Sequence, residues 1–185
     1  MTKPLPALSL RNDAIAPFQT MELVKSAQAL EASGRSIIHM SIGEPDFTAT
    51  PSVIEALNQA LAQGKSHYTP ALGIAPLREA IATHYLRTEA LEVDPACVIV
   101  TAGASAALTL ACLALVNPGD EVLLTDPSYP CNRHFVAAAN GIAKTIPVGP
   151  ETRYQLNAEL IRKHWSPSTR GVLLASPANP TGTSM

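Results

Sequence analysis

Short unbroken apolar runs alternate with longer segments of helical periodicity in the second half of the chain. Four such runs, at residues 97–101, 121–125, 142–148 and 171–176, predict strands that are buried on both faces. The segments between them, residues 105–116, 130–139 and 157–164, have apolar positions at helical spacing and are separated from the strands by turn residues. Strand, helix and strand at this spacing predict parallel βαβ units with right-handed crossovers. The expected fold class is therefore α/β, with helices on both sides of a mostly parallel sheet.

The first half of the chain is expected to be mainly helical. Helices are predicted near residues 20–33, 51–63 and 76–87, because apolar residues recur there every three or four positions. Gly34 and Gly64 stand where the first two should end, and Thr50 before Pro51 is typical of a helix start. We expect inward-facing apolar residues on these helices and a short strand at residues 36–40. Residues 1–18 contain three prolines and are interpreted as an arm that packs on another part of the molecule.

Composition and charge exclude several classes of function. The chain has 185 residues, a formal net charge of −2 and only 15% charged residues. The sequence therefore predicts no basic surface of the kind that binds nucleic acid. The longest apolar stretch, residues 108–116, is about half the ~20 residues of a membrane span. The first 18 residues lack the apolar region of a secretory signal, which favours a cytoplasmic location. Three cysteines without a paired spacing predict neither a disulfide framework nor a metal site.

The last predicted strand is followed by a loop but by no helix. An uncovered parallel strand would leave apolar surface in water. We therefore expect the sequence to be the first part of a longer protein.

Ligands of open α/β sheets bind beyond the carboxyl ends of the strands, so the loops at these ends are the candidate site. After the first strand, Gly103, Ala104 and Ser105 lead directly into a helix. Small side chains let an anion approach the N–H groups and the positive end of the helix dipole, and the Ser105 hydroxyl adds a donor. This pattern predicts a phosphate site. Close backbone packing, with Ser105 as an ordinary helix cap, is the alternative interpretation.

Two further loops carry candidate ligand contacts. Tyr129 stands between two prolines after the second strand, where a planar ligand could stack on its ring. Asn179 follows the fourth strand and precedes Pro180, which favours an extended backbone and an amide aimed at one ligand oxygen. Surface packing of the tyrosine and a turn-forming asparagine are the alternatives. Cys131 lies close to Tyr129 in sequence and is a weaker candidate.

Four motifs in order resemble one known family. They are Ser-Ile-Gly-Glu-Pro-Asp-Phe at 41–47, Tyr-Thr-Pro-Ala-Leu-Gly at 68–73, Asn-Pro-Gly-Asp-Glu-Val at 117–122 with Asp-Pro-Ser-Tyr-Pro at 126–130, and Asn-Pro-Thr-Gly at 179–182. Together they look like the class I and II aminotransferases of the aspartate aminotransferase superfamily, over residues 18–182. The resemblance implies the three-layer α/β/α fold of this superfamily, with residues 1–50 as an arm and small-domain segment and residues 51–185 as part of the large domain.

The resemblance also implies a cofactor, pyridoxal 5′-phosphate, and a homodimer with active sites at the subunit interface. The implied reaction moves an amino group between an amino acid and a 2-oxo acid. By this resemblance the cofactor phosphate is bound by Gly103, Ala104 and Ser105, and the cofactor ring stacks on Tyr129. The ring 3′ oxygen accepts a hydrogen bond from Asn179. The resemblance also implies that Tyr68 reaches the phosphate of the partner's cofactor and that Gly43 lies beside the substrate carboxylate.

The family's lysine that forms the Schiff base, its acid for the pyridine nitrogen and its substrate-binding arginine all follow the Asn-Pro-Thr-Gly loop. The five lysines of this chain match no such position, so it has no catalytic lysine and is expected to be inactive alone. Other pyridoxal phosphate enzymes of this superfamily, such as a carbon–sulfur lyase, a decarboxylase or a synthase, remain alternatives. So do a ligand-sensing regulatory domain and an α/β module that binds some other phosphorylated ligand.

Overall fold

The computed structural model describes residues 7–185, which form two compact units. One unit, named here the sheet unit, comprises residues 7–22 and Gly103–Met185. The other, named the helical unit, comprises Leu23–Ala102. No helix among residues 7–185 has the length and apolar character needed to cross a membrane.

Three parallel strands form the sheet, in the order β2-β1-β3. They are β1 (Glu121–Asp126), β2 (Ile142–Pro147) and β3 (Thr169–Val172). The central strand, β1, carries three consecutive buried residues, Val122, Leu123 and Leu124. Burial on both faces explains why this strand is a continuous apolar run, since parallel sheets are covered on each side. The predicted parallel sheet is confirmed.

Helices cover both faces of this sheet. On one face, Val122 and Leu124 pack with residues of α4 (Gly103–Leu115) and α5 (Cys131–Ala138). On the other face, Leu123 packs with Ile146 and with residues of α6 (Ala158–His164). Successive side chains of a strand point to opposite faces, so β1 alone anchors both layers. The three predicted helices of this region, and the three-layer arrangement, are confirmed.

The helical unit contains most of α1 (Gln19–Ala32), together with α2 (Pro51–Ala62) and α3 (Ala75–Glu89). The predicted ends are confirmed, because Gly34 and Gly64 adopt left-handed φ angles of +90° and +70° directly after α1 and α2. The predicted inward faces are wrong for most positions. Ala82 is buried on α3, whereas the apolar stripe of α2 and two of the expected core residues of α3 are exposed: Val53, Ile54, Leu57, Leu61, Leu77 and Tyr85.

Two predicted strands do not form in the described part of the chain. Residues 36–40 and 98–101 form neither a helix nor a strand and pair with no strand among residues 7–185. An apolar run becomes a strand only where a neighbouring strand completes its ladder. Pro95–Cys97 instead form a 3-10 turn, in which the Asp94 carboxylate accepts a hydrogen bond from the Ala96 N–H at 2.8 Å. The third strand, β3, ends four residues earlier than predicted.

A polar cluster closes the amino end of the sheet. The carboxylate of Glu121 accepts hydrogen bonds from the Lys144 ammonium at 2.9 Å and from the Ser166 hydroxyl at 2.7 Å. These three residues join the start of β1 to β2 and to the turn before β3. The Lys144 ammonium, and after it the Ser166 hydroxyl, holds the pKa of the Glu121 carboxyl below its ordinary value.

A Glu121→Gln substitution should lower the melting temperature at pH 7. The difference in melting temperature from the unaltered chain should become smaller at acid pH. A carboxyl group whose pKa is lowered by folding stabilises the fold at pH values above its pKa in the unfolded chain, which is about 4.3. This stabilisation is lost as the pH falls through the pKa of the folded state. Thermal unfolding of both chains at pH 7 and pH 3 measures the difference. The exposed loop carboxylate Glu44, replaced by Gln, serves as control. An equal difference at both pH values would contradict the assigned role.

Gly141→Ala should destabilise the sheet unit by about 1–3 kcal/mol, because overpacking forces neighbours to move. An added Cβ at Gly141 would lie 2.5 Å from the Val116 side chain and 3.2 Å from the Asp120 carbonyl oxygen. At Gly171, in β3, an added Cβ meets no atom within 4 Å. Gly171→Ala is therefore the matched control and should change stability by less than about 0.5 kcal/mol. Urea unfolding of the two variants tests the difference, and equal losses would refute it.

Candidate functional site

The amino end of α4 is exposed and contains the predicted phosphate-binding residues, Gly103 to Ser105. Gly103 is its first residue and has a φ of +79°, a left-handed angle that favours glycine. A Cβ placed there would meet no atom within 4 Å, so space lies beside the helix start. Ala104 and Ser105 follow in the first turn and are exposed. Because first-turn N–H groups do not bond within a helix, this geometry suits an anion.

Tyr129 lies beside this helix start. Its phenol lies next to the side chains of Ser105 and Cys131, so the loop after β1 meets the first turn of α4. The ring of Phe18 contacts the Tyr129 ring edge to face, with centroids 6.0 Å apart and planes at 75°. The structure thus brings together the predicted anion position and the predicted aromatic, although they are separated by 24 positions in sequence.

The charge state of Tyr129 follows from these contacts. The hydrogen bond with the Cys131 side chain, and then burial, raises the pKa of Tyr129 above its ordinary value, while the bond with Ser105 acts in the opposite direction. At neutral pH the phenol therefore stays protonated and uncharged. An uncharged ring beside an anion position avoids electrostatic repulsion with a bound phosphate.

Asn179 lies in the loop that follows β3. This loop is closed by two backbone hydrogen bonds, from the Ala178 N–H to the Thr183 oxygen at 2.9 Å and from the Gly182 N–H to the Ala178 oxygen at 2.7 Å. The Asn179–Pro180 peptide is cis, and Asn179 is exposed. Because β3 and β1 are parallel neighbours, the loops after them emerge at the same edge of the sheet. Asn179 and Tyr129 therefore share the carboxyl edge.

The sequence interpretation missed two contributors to this edge. Phe18 was assigned only to an arm that packs elsewhere, yet its ring supports Tyr129. The arm is also fixed by the Arg11 guanidinium, which donates to the Ala138 carbonyl at 3.4 Å. Gln155, between β2 and α6, donates through its side-chain amide to the loop that carries Asn179. The only local signal for Gln155 is that it is a polar residue between Tyr154 and Leu156. Its hydrogen-bond partner, the Thr183 carbonyl oxygen, is remote in sequence.

Tyr68 and Gly43 belong to the helical unit. Tyr68 is fully exposed, and Gly43 lies in an exposed loop with open space around its Cα. Their assigned roles remain predictions. Among residues 7–185, no group of three or more histidine, cysteine or acidic side chains could hold a metal ion.

Comparison with known proteins identifies a family. The model of aminotransferase class I and II matches residues 35–185. The chain is 38% identical over 169 residues to a valine–pyruvate aminotransferase of Mycobacterium tuberculosis, covering 91% of this chain and 43% of that protein. It is 37% identical over 175 residues to an aspartate/prephenate aminotransferase of Thermus thermophilus, covering 95% of this chain and 46% of that protein.

A solved structure agrees with the sequence comparison. The crystal structure of an aminotransferase from Mycobacterium tuberculosis superposes with a TM-score of 0.90 at 36% identity, covering 98% of this chain and 46% of that one. The chain thus spans about half the length of the curated relatives it matches. With a family match over most of its residues and a fold shared at this level, the chain belongs to the aminotransferase class I and II family.

Proposed function

We propose that this chain supplies the cofactor-binding half of a pyridoxal 5′-phosphate-dependent amino-acid aminotransferase. The observation that carries the proposal is the proximity of Tyr129 to Ser105, which brings a helix start suited to a phosphate next to an aromatic ring. Family membership favours the same function, since the relatives compared above are named as aminotransferases. The substrates would be an amino acid and a 2-oxo acid, and the two relatives differ in theirs.

The residues of the sheet unit fit this cofactor. A phosphate would lie at the start of α4, in the space beside Gly103, with Ala104 and the Ser105 hydroxyl in the same turn. The uncharged ring of Tyr129 would stack on a pyridine ring, and the Asn179 amide would hydrogen-bond its 3′ oxygen. When bound, the cofactor supplies an electron sink and carries the amino group between the two substrates.

Further features of the proposal come from the family resemblance. Tyr68 would reach the cofactor phosphate of a partner subunit in a homodimer, and Gly43 would lie beside the substrate carboxylate. We propose residues 1–50 as arm and small-domain segment and residues 51–185 as part of the large domain. A cytoplasmic location belongs to the same proposal.

Pyridoxal 5′-phosphate should bind the chain weakly, and Tyr129→Ala should weaken binding about three- to tenfold, since an aromatic stacking contact contributes about 0.5–1.5 kcal/mol. Tyr129→Phe is the matched control, because it keeps the ring and removes only the hydroxyl. Fluorescence titration gives both dissociation constants. If Tyr129→Ala and Tyr129→Phe bound the cofactor equally well, the stacking role would be refuted.

Ser105→Ala should weaken binding of both pyridoxal 5′-phosphate and inorganic phosphate, because one hydrogen bond to a charged group is lost. The expected loss is about ten- to a hundredfold, from about 1.5–3 kcal/mol. Ser128→Ala, on the loop after β1, is the control and should leave phosphate binding intact. A Ser105→Ala chain that bound phosphate like the unaltered chain would move the anion site elsewhere.

The 185-residue chain should form no 2-oxo acid when it is mixed with the cofactor and amino donors. Lys144, in the sheet unit, is engaged by Glu121 at the amino end of β1, whereas the proposed site is at the carboxyl edge. Lys163 is exposed in the last turn of α6. A coupled assay, with a complete family aminotransferase as positive control, measures the reaction. Turnover by this chain alone would contradict the assignment of its lysines.

A further inference from the structure

Gln155 is one of two polar residues buried in the described part of the chain, with 6% of its surface exposed. Its side-chain nitrogen donates to the Thr183 carbonyl oxygen at 2.7 Å and lies 3.3 Å from the Ala175 carbonyl oxygen. Ala175 follows β3 and Thr183 follows Gly182. The same amide therefore holds the two ends of the loop that contains Asn179.

Local backbone geometry fixes the position of Gln155. The two preceding residues, Arg153 and Tyr154, both adopt left-handed φ angles, of +54° and +56°. Such angles are unfavourable for side chains with a Cβ and persist only where the surroundings impose them. Tyr154 and Leu156 pack into the apolar cluster around Leu123, on either side of Gln155 in sequence. Gln155 is thus held by a packed core and not by the loop that it contacts.

We propose that Gln155 is a positioning residue that sets the place of the Asn179 amide at the carboxyl edge of the sheet. The inference rests on the proposed function, because Asn179 is assigned there to the ring oxygen of the cofactor. The Asn179 loop is otherwise closed by its own hydrogen bonds, among them the bond from the Ala178 N–H to the Thr183 oxygen. Gln155 connects that closed loop to the core.

Removal of this donor has a defined consequence. Without it, the carbonyl oxygens of Ala175 and Thr183 lose a hydrogen-bond partner and the loop gains freedom at both ends. Asn179 would then have to be ordered again whenever a ligand binds, which weakens its hydrogen bond but leaves the phosphate position at α4 unaffected. The effect therefore falls on recognition of the ring oxygen and spares recognition of the phosphate.

The test compares pyridoxal 5′-phosphate with 3-deoxypyridoxal 5′-phosphate, which lacks the ring oxygen. We expect the unaltered chain to prefer the first by about tenfold, the effect of one hydrogen bond to a charged group. Gln155→Met, which keeps the size and removes the donor, should reduce this preference to less than about threefold. Asn179→Ala should abolish it, and the double variant should behave like Asn179→Ala, since both residues act on one contact.

The control is Val136→Ala, a fully buried position in the apolar cluster on the opposite face of the sheet. It should lower the melting temperature without changing the preference between the two ligands. A Gln155→Met chain that retained the full preference, or that lost affinity for both ligands equally, would overturn the proposal.

Hydrogen exchange tests the loop without any ligand. In Gln155→Met the amides of Ala178 and Gly182 should exchange at least about tenfold faster, whereas in Val136→Ala they should not change selectively. Unchanged exchange at both amides would overturn the positioning role. If the unaltered chain bound neither ligand, the proposed function would fail, and the exchange result would still decide whether Gln155 holds the loop.

Discussion

The sheet unit depends on the burial of β1 on both of its faces. Val122 and Leu124 pack under α4 and α5, while Leu123 packs on the side of α6, so a single strand fixes the position of both helical layers. Because each layer is attached to the same strand, the helix starts and strand ends around β1 are held at one edge. The first turn of α4 and the loop after β1 meet there through Ser105 and Tyr129.

Two structural devices then refine this edge, and both come from sequence positions remote from it. Phe18 supports the ring of Tyr129 from the arm that precedes α1. Gln155 supports the loop of Asn179 from the connection between β2 and α6. A loop with exposed side chains gains a defined geometry only when something rigid holds its ends. In this chain an edge-to-face aromatic contact and a buried amide provide that support.

The amino end of the sheet has a different character. Glu121, Lys144 and Ser166 satisfy one another there in a partly exposed cluster that links three segments of the unit. Glu121 and Lys144 lie towards this end, whereas the phenol of Tyr129, the amide of Asn179 and the start of α4 lie at the other end, where β1 finishes with Asp126.

Local patterns in the sequence predicted β1, β2, the turn glycines and the six α-helices found among residues 7–185, because helices and buried strands space their apolar residues differently. They also indicated Ser105, Tyr129 and Asn179 as candidate site residues, because small residues at a helix start and residues fixed beside prolines are local signals. Tertiary structure decided what depends on a neighbouring strand: residues 36–40 and 98–101 join no sheet within residues 7–185, although their sequences favour strands. It likewise placed the buried Gln155 side-chain amide 2.7 Å from the carbonyl oxygen of Thr183, 28 residues away, a contact that no local pattern indicates.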